Sequence, residues 1–175
     1  MSERVAFSAQ DEQFRSWDAI HASALVLGEA GVLIRGPSGA GKSSLTLALL
    51  ALADDRKLFA RLIGDDRVLI RSNSRRILAR GAPKVYGLVE KRGYGIVEAP
   101  TELCAIVRLV VDLLPRHERS ARLPDQGALT ASLGEVELPR LTFGGESGPF
   151  ERTSAVLGYL DKIGDKIMTR VAHFT

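Results

Sequence analysis

The 175-residue sequence holds one cysteine, one asparagine and one tryptophan, and these scarcities narrow what the chain can do. A single thiol, Cys104, cannot close an internal disulfide, so the chain suits a reducing compartment. Lying in an apolar run, Cys104 reads as a buried core residue. Long apolar stretches are missing: the longest, Ala105–Leu114, is broken by Arg108 and Asp112, well short of the ~20 residues that cross a bilayer. Met1–Gln10 mixes charges with single apolar side chains and has no signal-peptide core. Charge of one sign is not in excess either, since 24 basic and 21 acidic residues leave +3. The one basic stretch, Arg71–Arg80, contains no aromatic residue for stacking bases. It reads as a solvated hairpin or loop, with a patch that steers an acidic protein or anionic ligand as the sharper alternative. These scarcities leave no apolar stretch long enough to cross a bilayer and argue against a nucleic-acid partner; they point to the cytoplasm. Length, with 45% hydrophobic and 26% charged residues, fits one domain over 1–175 with a real core.

What is present begins with an alternation of strand and helix. Residues 22–28 have the character of a strand that ends in a turn at Glu29–Gly31. Val32–Arg35 is a short apolar run of the buried-strand kind. After a glycine-rich loop, Ser43–Ala53 is a continuous helix former, and the strand-like pieces Leu62–Ile63 and Val68–Ile70 flank Asp65–Asp66. The lead-in over residues 1–20 carries at most a turn of helix near Asp18. Beyond Asp66 the alternation fades into short β-like runs at Val85–Val89, Ile96–Val97, Ala105–Leu114, Val136–Leu138 and Leu141–Phe143, separated by Gly, Pro and charge. From Thr153 to Arg170 the apolar positions Val156, Leu157, Leu160, Ile163 and Ile167 recur at helical spacing. The pattern predicts an α/β fold: a P-loop unit built into a mixed β-sheet, with a C-terminal helix packed on it.

Gly36-Pro37-Ser38-Gly39-Ala40-Gly41-Lys42-Ser43 fits G-x-x-x-x-G-K-[ST] in full, and Ser44 follows. Glycines let such a loop curl until successive N–H groups face phosphate oxygens, and the following helix adds its N-terminal dipole. Lys42 would reach the β- and γ-phosphates and the Ser43 hydroxyl would bind Mg²⁺. Asp65 and Asp66 follow an apolar pair, where a second metal-binding or water-ordering acid belongs. Neighbouring side chains on a strand or turn point different ways, so one acid should face the phosphates and the other be structural. A guanine-reading Asn-Lys-x-Asp element and a protein-kinase catalytic loop both need an asparagine, and the lone Asn73 sits in neither context.

The span Ile20–Ile70, with its Gly36–Ser44 loop and Ile63-Gly-Asp-Asp-Arg-Val, resembles the catalytic domain of bacterial HPr kinase/phosphorylase. His21 precedes Lys42 by 21 residues, as a histidine does in that family, and Asp65–Asp66 stand where the family has an Asp-Asp pair. Val89-Glu90-Lys91-Arg92-Gly93-Tyr94-Gly95-Ile96 is similar to its Leu-Glu-Ile-Arg-Gly-x-Gly-Ile signature, with Lys91 in place of an apolar residue. Ala121-Arg122-Leu123 is the best fit to its Asp-Arg-(Val/Leu) element. The chain is too short to hold the separate N-terminal domain of longer members, and Gly144–Arg152 matches poorly the stretch linked to dephosphorylation.

The resemblance implies ATP- and Mg²⁺-dependent transfer to a serine of the phosphocarrier protein HPr or a homologue, with phosphorylation better supported than the phosphorylase direction. By the same resemblance Asp66 is the general base tuned by His21, Lys42 and Arg122 neutralise the moving phosphoryl group, and Ser43 and Glu90 hold the metal. Asp65, Arg92, Gly93 and Gly95 then play supporting parts, and the ring-like hexamers of family members imply a homo-oligomer. Two other functions stay open on the residues alone: an ATP-dependent kinase of a small molecule, and a nucleotide-sensing regulatory module with weak hydrolysis.

Overall fold

The structure, a computed structural model, describes residues 17–83, 87–91 and 93–171. In chain order the strands are β1 (Asp18–Ile20), β2 (Ala22–Leu27) and β3 (Ala30–Arg35), followed by helix α1 (Lys42–Asp55). Next come β4 (Ala60–Gly64), β5 (Val68–Asn73), β6 (Arg76–Gly81), β7 (Leu88–Lys91), β8 (Gly95–Glu98), β9 (Cys104–Leu113), β10 (Thr130–Leu133) and β11 (Val136–Phe143). Helix α2 (Pro149–Val171) closes the described chain. This is the α/β architecture expected, with a mixed sheet and a C-terminal helix.

The main sheet runs β1-β5-β6-β9-β3-β2-β4, and β11, carrying β10 on its outer edge, adds to β9. Strands β3 and β9 pair in parallel, as do β9 and β11, while the other neighbours are antiparallel. Every residue of β2 is buried, because the sheet is covered on both faces and its side chains alternate between two apolar layers. Leu25, Leu27, Val32, Ile34, Leu109 and Val111 pack under α1 and α2 with Leu45, Leu49 and Val156. Ala24, Val26, Leu33, Val107 and Val110 face the opposite layer with Val68, Ile77, Ala79 and Leu138. The sheet therefore curls, and its β5–β6 arm and β10–β11 ribbon roof that second layer. A register shift between Gly31↔Val107 and Val32↔Leu109 leaves Arg108 as an extra residue. The bulge reverses the phase of β9, so Val107 and Val110 share one face.

Several expectations change. The residues near Asp18 form an edge strand rather than a helical turn, paired from Asp18↔Ile70 to Ile20↔Val68; three residues are too few for periodicity to reveal. Cys104 is exposed, not core: it opens β9 opposite Arg80, before the strand enters the interior. The two runs around Pro139 and Arg140 are one strand. Residues up to Pro139 pair with β10, and Arg140 onward pairs with β9. Pro139 thus sits at the changeover, where a missing N–H is tolerated. The basic Arg71–Arg80 stretch is the β5–β6 hairpin, turning at Ser74 and Arg75 with φ of 45° and 67°. Of the expected Val85–Val89 run, 85 and 86 fall outside the described residues, and Leu88 and Val89 open β7.

Candidate active site

Two parallel strands, β3 and β9, end side by side. Arg35 closes β3 with two 2.7 Å bonds to the Asp112 carboxylate on β9, a bidentate charge-assisted pair. Arg140 on β11 stands 3.8 Å from the same carboxylate. The loops leaving β3 and β9 consequently emerge at one edge of the sheet, where open α/β sheets place their ligands.

The first of these loops, residues 36–41, lies between buried β3 and α1, as the phosphate-loop pattern requires. Gly36 has φ of 148°, and a Cβ there would come within 2.5 Å of the Leu113 carbonyl oxygen. Only glycine starts the loop without displacing β9. Pro37, Ser38, Gly39 and Ala40 complete the curl, tied by an Ala40 N–H donated to the Pro37 carbonyl at 3.2 Å. Gly41, at φ 102°, caps α1 without a side-chain hydrogen bond. The first N–H groups of α1, including those of Lys42, Ser43 and Ser44, have no intrahelical acceptor and are left to a ligand.

Lys42 is buried, and its ammonium donates to the carbonyls of Gly36 at 3.0 Å and Pro37 at 3.2 Å. It also lies 2.8 Å from His21 Nε2. Burial pushes the Lys42 pKa down, opposed by the charges of Asp66 and Asp65. An ammonium has only donors, so His21 Nε2 accepts from Lys42 and Nδ1 is the ring nitrogen that donates. That nitrogen stands 3.0 Å from the Asp66 carboxylate and 3.1 Å from the Asp66 carbonyl. The result is a chain from Lys42 through His21 to Asp66.

The two aspartates diverge. Asp65 is buried and accepts a short hydrogen bond from the Ser23 hydroxyl on β2. Asp66 turns outward, its side chain 81% exposed against 48% for His21. Its φ of 61° and the 2.6 Å bond from Arg67 N–H to the Asp65 carbonyl describe a tight three-residue turn. Backbone held in this sparsely populated region clusters at functional sites.

Glu90 reaches the same cleft from the β7–β8 hairpin. Val89 is fully buried while Glu90 is exposed, the alternation of a strand lying over α1. Gly93 and Gly95 turn this hairpin with φ of 75° and 107°. Among the described residues no atom lies within 4 Å of a Cβ built on either, so the backbone conformation selects glycine there. Arg92 lies outside the described residues. The cleft, about 120 Å³, brings together His21, Lys42, Ser43, Asp66, Glu90 and Arg116. Arg122 is not among its lining residues; it is exposed in the connection between β9 and β10. Arg116, which sequence reasoning passed over, donates from Nε to the Gly39 carbonyl at 3.1 Å. Its available signal was position: it follows Pro115 just beyond the long apolar strand that parallels β3.

No cluster of three or more His, Cys, Asp or Glu suited to a metal occurs among the described residues. The oxygen donors Ser43, Glu90 and Asp66 share one cleft. That set fits Mg²⁺, which takes one or two protein oxygens and completes its shell with phosphates and water.

A glycine loop between a buried strand and an uncapped helix, with its lysine beside a histidine and an acid, has the form of a phosphate-binding loop. Residues 12–117 match the family model described as HPr Serine kinase C-terminal domain. The chain belongs to this family. It is 41% identical over 131 residues to an HPr kinase/phosphorylase of Mycoplasma mycoides, covering 67% of this chain and 39% of that one. A second HPr kinase/phosphorylase, from Pediococcus pentosaceus, is 31% identical over 146 residues, covering 75% and 43%. The chain thus spans well under two thirds of the length of these relatives. The solved structure of the Hpr(Ser) kinase/phosphatase from Coxiella burnetii superposes with a TM-score of 0.67 at 23% identity, covering 84% of this chain and 99% of that one, which shows the shared fold.

Proposed function

We propose that this chain is an ATP-dependent serine kinase acting on the phosphocarrier protein HPr or a homologue, working in the cytoplasm as one catalytic domain. The observation that carries the reading is the chain of polar groups from Lys42 through His21 to Asp66, in a cleft floored by the phosphate loop. A phosphate loop alone serves many chemistries. A carboxylate aimed at the γ-phosphate position, exposed enough to meet an incoming hydroxyl, is what transfer to an acceptor adds. The relatives named above support the acceptor as HPr.

In this reading the loop N–H groups and Lys42 hold the β- and γ-phosphates. Asp66 takes the proton of the attacking serine as its oxygen bonds to the γ-phosphorus and the bond to the β-phosphate oxygen breaks, leaving ADP. His21 orients Asp66 through Nδ1. Ser43 and Glu90 would hold Mg²⁺, which when bound offsets charge on the phosphates. Asp65, locked to Ser23, fixes the strand end from which Asp66 projects. In the phosphorylase direction inorganic phosphate would take the phosphoryl group, forming pyrophosphate, as Asp66 returns the proton to the leaving serine oxygen.

Incubation with γ-labelled ATP and the phosphocarrier protein of the same cell separates this reading from its rivals. Label on a protein serine is the expected result. Label on a metabolite would assign a small-molecule kinase, and slow release of phosphate alone a nucleotide sensor.

A further inference from the structure

Strands β3 and β9 run parallel, with the phosphate loop at one end of the pair and a second hollow at the other. This hollow measures about 690 Å³, within the usual range for a small-ligand site, roughly 300–1,000 Å³. Its walls are mostly apolar. Leu27 and Ala30 flank the β2–β3 turn, Leu58 follows α1 and Ile106 lies on β9. Helix α2 adds Leu157, Leu160 and Gly164, a stripe at helical spacing.

Backbone contacts fix these walls. The Gly28 N–H donates to the Phe59 carbonyl at 2.7 Å, tying the β2–β3 turn to the segment after α1. A Cβ on Gly31 would stand 2.6 Å from the Ile106 carbonyl oxygen, so glycine lets β3 and β9 close up beside the bulge. A bulge re-aims the side chain of its extra residue, and here that residue is Arg108, which lines the hollow.

Arg108 is the one cation among the lining residues. Glu29, in the β2–β3 turn, and Asp161, in the α2 stripe, are the two carboxylates. All three are exposed, and none makes a hydrogen bond or ion pair among the described residues. Opposite charges that share an apolar hollow without pairing suit a ligand that carries both signs. An anion alone would meet two carboxylates, and a cation alone would leave Arg108 unmatched. A wholly apolar molecule would strip water from all three groups and replace none of it.

We propose that this hollow binds a small zwitterion with an apolar body, of the class of the branched-chain and aromatic α-amino acids. Arg108 takes the carboxylate, which its planar fork matches. Glu29 and Asp161 take the ammonium, and the apolar walls cover the side chain. The site is separate from the phosphate loop and does not rest on the kinase reading.

Calorimetric titration of the whole chain with L-alanine, L-valine, L-leucine and L-phenylalanine tests this. Affinity should rise about fourfold per added methylene from alanine through valine to leucine. Two analogues of leucine carry one charge each: 4-methylpentanoate lacks the ammonium and 3-methylbutylamine lacks the carboxylate. Each should bind at least about tenfold more weakly than leucine, the loss expected for one charge-assisted contact. Arg108→Gln and Asp161→Asn, both at exposed positions, should weaken leucine by a similar factor, with unfolding midpoints checking that they remain folded. No binding of any of the four amino acids would overturn the site. So would equal affinity for leucine and its analogues, or parent-like leucine binding by both variants. An unfolding midpoint that rises with protein concentration but not with leucine would assign the hollow to a second copy of the chain, and would overturn the proposal as well.

Discussion

Replacing Asp66 by asparagine separates catalysis from folding more cleanly than any other change in this chain. The side chain is 81% exposed and its partner is His21 Nδ1 at 3.0 Å. An exposed pair of this kind contributes about 0–1 kcal/mol to stability. The backbone at Asp66 has φ of 61°, and asparagine enters that region as readily as aspartate, so the turn survives. Asp66→Asn should therefore move the unfolding free energy by less than about 1 kcal/mol. Loss of a general base, by contrast, costs about 10²–10⁴-fold in rate, which is about 2.7–5.5 kcal/mol on the barrier. The assay is single-turnover transfer from ATP to HPr, with ATP affinity and unfolding midpoint measured on the same preparation. The expected outcome is a transfer defect of that size with ATP affinity and midpoint nearly unchanged. Asp65→Asn is the contrast: its carboxylate is buried against the Ser23 hydroxyl, so stability should fall by about 1–3 kcal/mol. Near-parent transfer by Asp66→Asn would refute the assignment of the base. A silent Asp66 with a folded but inactive Asp65→Asn would move the assignment by one residue.

Other outcomes follow from the same geometry. Glu90→Gln should raise the Mg²⁺ concentration for half-maximal activity more than it alters metal-free ATP affinity; an unchanged Mg²⁺ dependence would make Glu90 structural. Burial holds Lys42 below the ordinary lysine value of 10.5 and bound phosphates raise it, so binding takes up a proton in that window. ATP affinity should fall as pH rises through the free protein's Lys42 pKa, and Lys42→Met should flatten the profile. Because the folded pKa is the lowered one, the unfolded chain binds more protons there, and the Lys42 contribution to stability rises with pH. Gly145→Ala forces a Cβ to within 1.8 Å of the Arg116 carbonyl and should cost about 1–3 kcal/mol. Gly158→Ala, in α2 with nothing within 4 Å, should gain about 0.5–1 kcal/mol, both read from thermal unfolding.

The glycine-rich turn from strand to helix was legible in the sequence because its requirements are local: glycines at Gly36 and Gly41, a lysine, a hydroxyl, then a helix. Divergence of Asp65 and Asp66 follows from the geometry of adjacent residues, but which of them turns inward depends on Ser23, 42 residues away. Arg116 was hidden for a similar reason. Its reach to Gly39 arises only because β3 and β9 lie parallel and adjacent across 77 residues of sequence. In their place the motif fit to Arg122 drew attention to an exposed position. Strand β6 was obscured by its arginines, and Cys104 was misjudged because the apolar run after it becomes buried only from Ala105 onward.

The central claim is that this loop and acid deliver the γ-phosphoryl group of ATP to a protein serine. The most direct test mixes γ-labelled ATP and purified HPr with the parent chain, with Lys42→Ala, and with an HPr in which the labelled serine is replaced by alanine. The account predicts label on that serine with the parent chain only, and none with Lys42→Ala or with the serine-lacking HPr. Undiminished labelling by Lys42→Ala, or an unlabelled HPr beside a parent chain that consumes ATP, would contradict it.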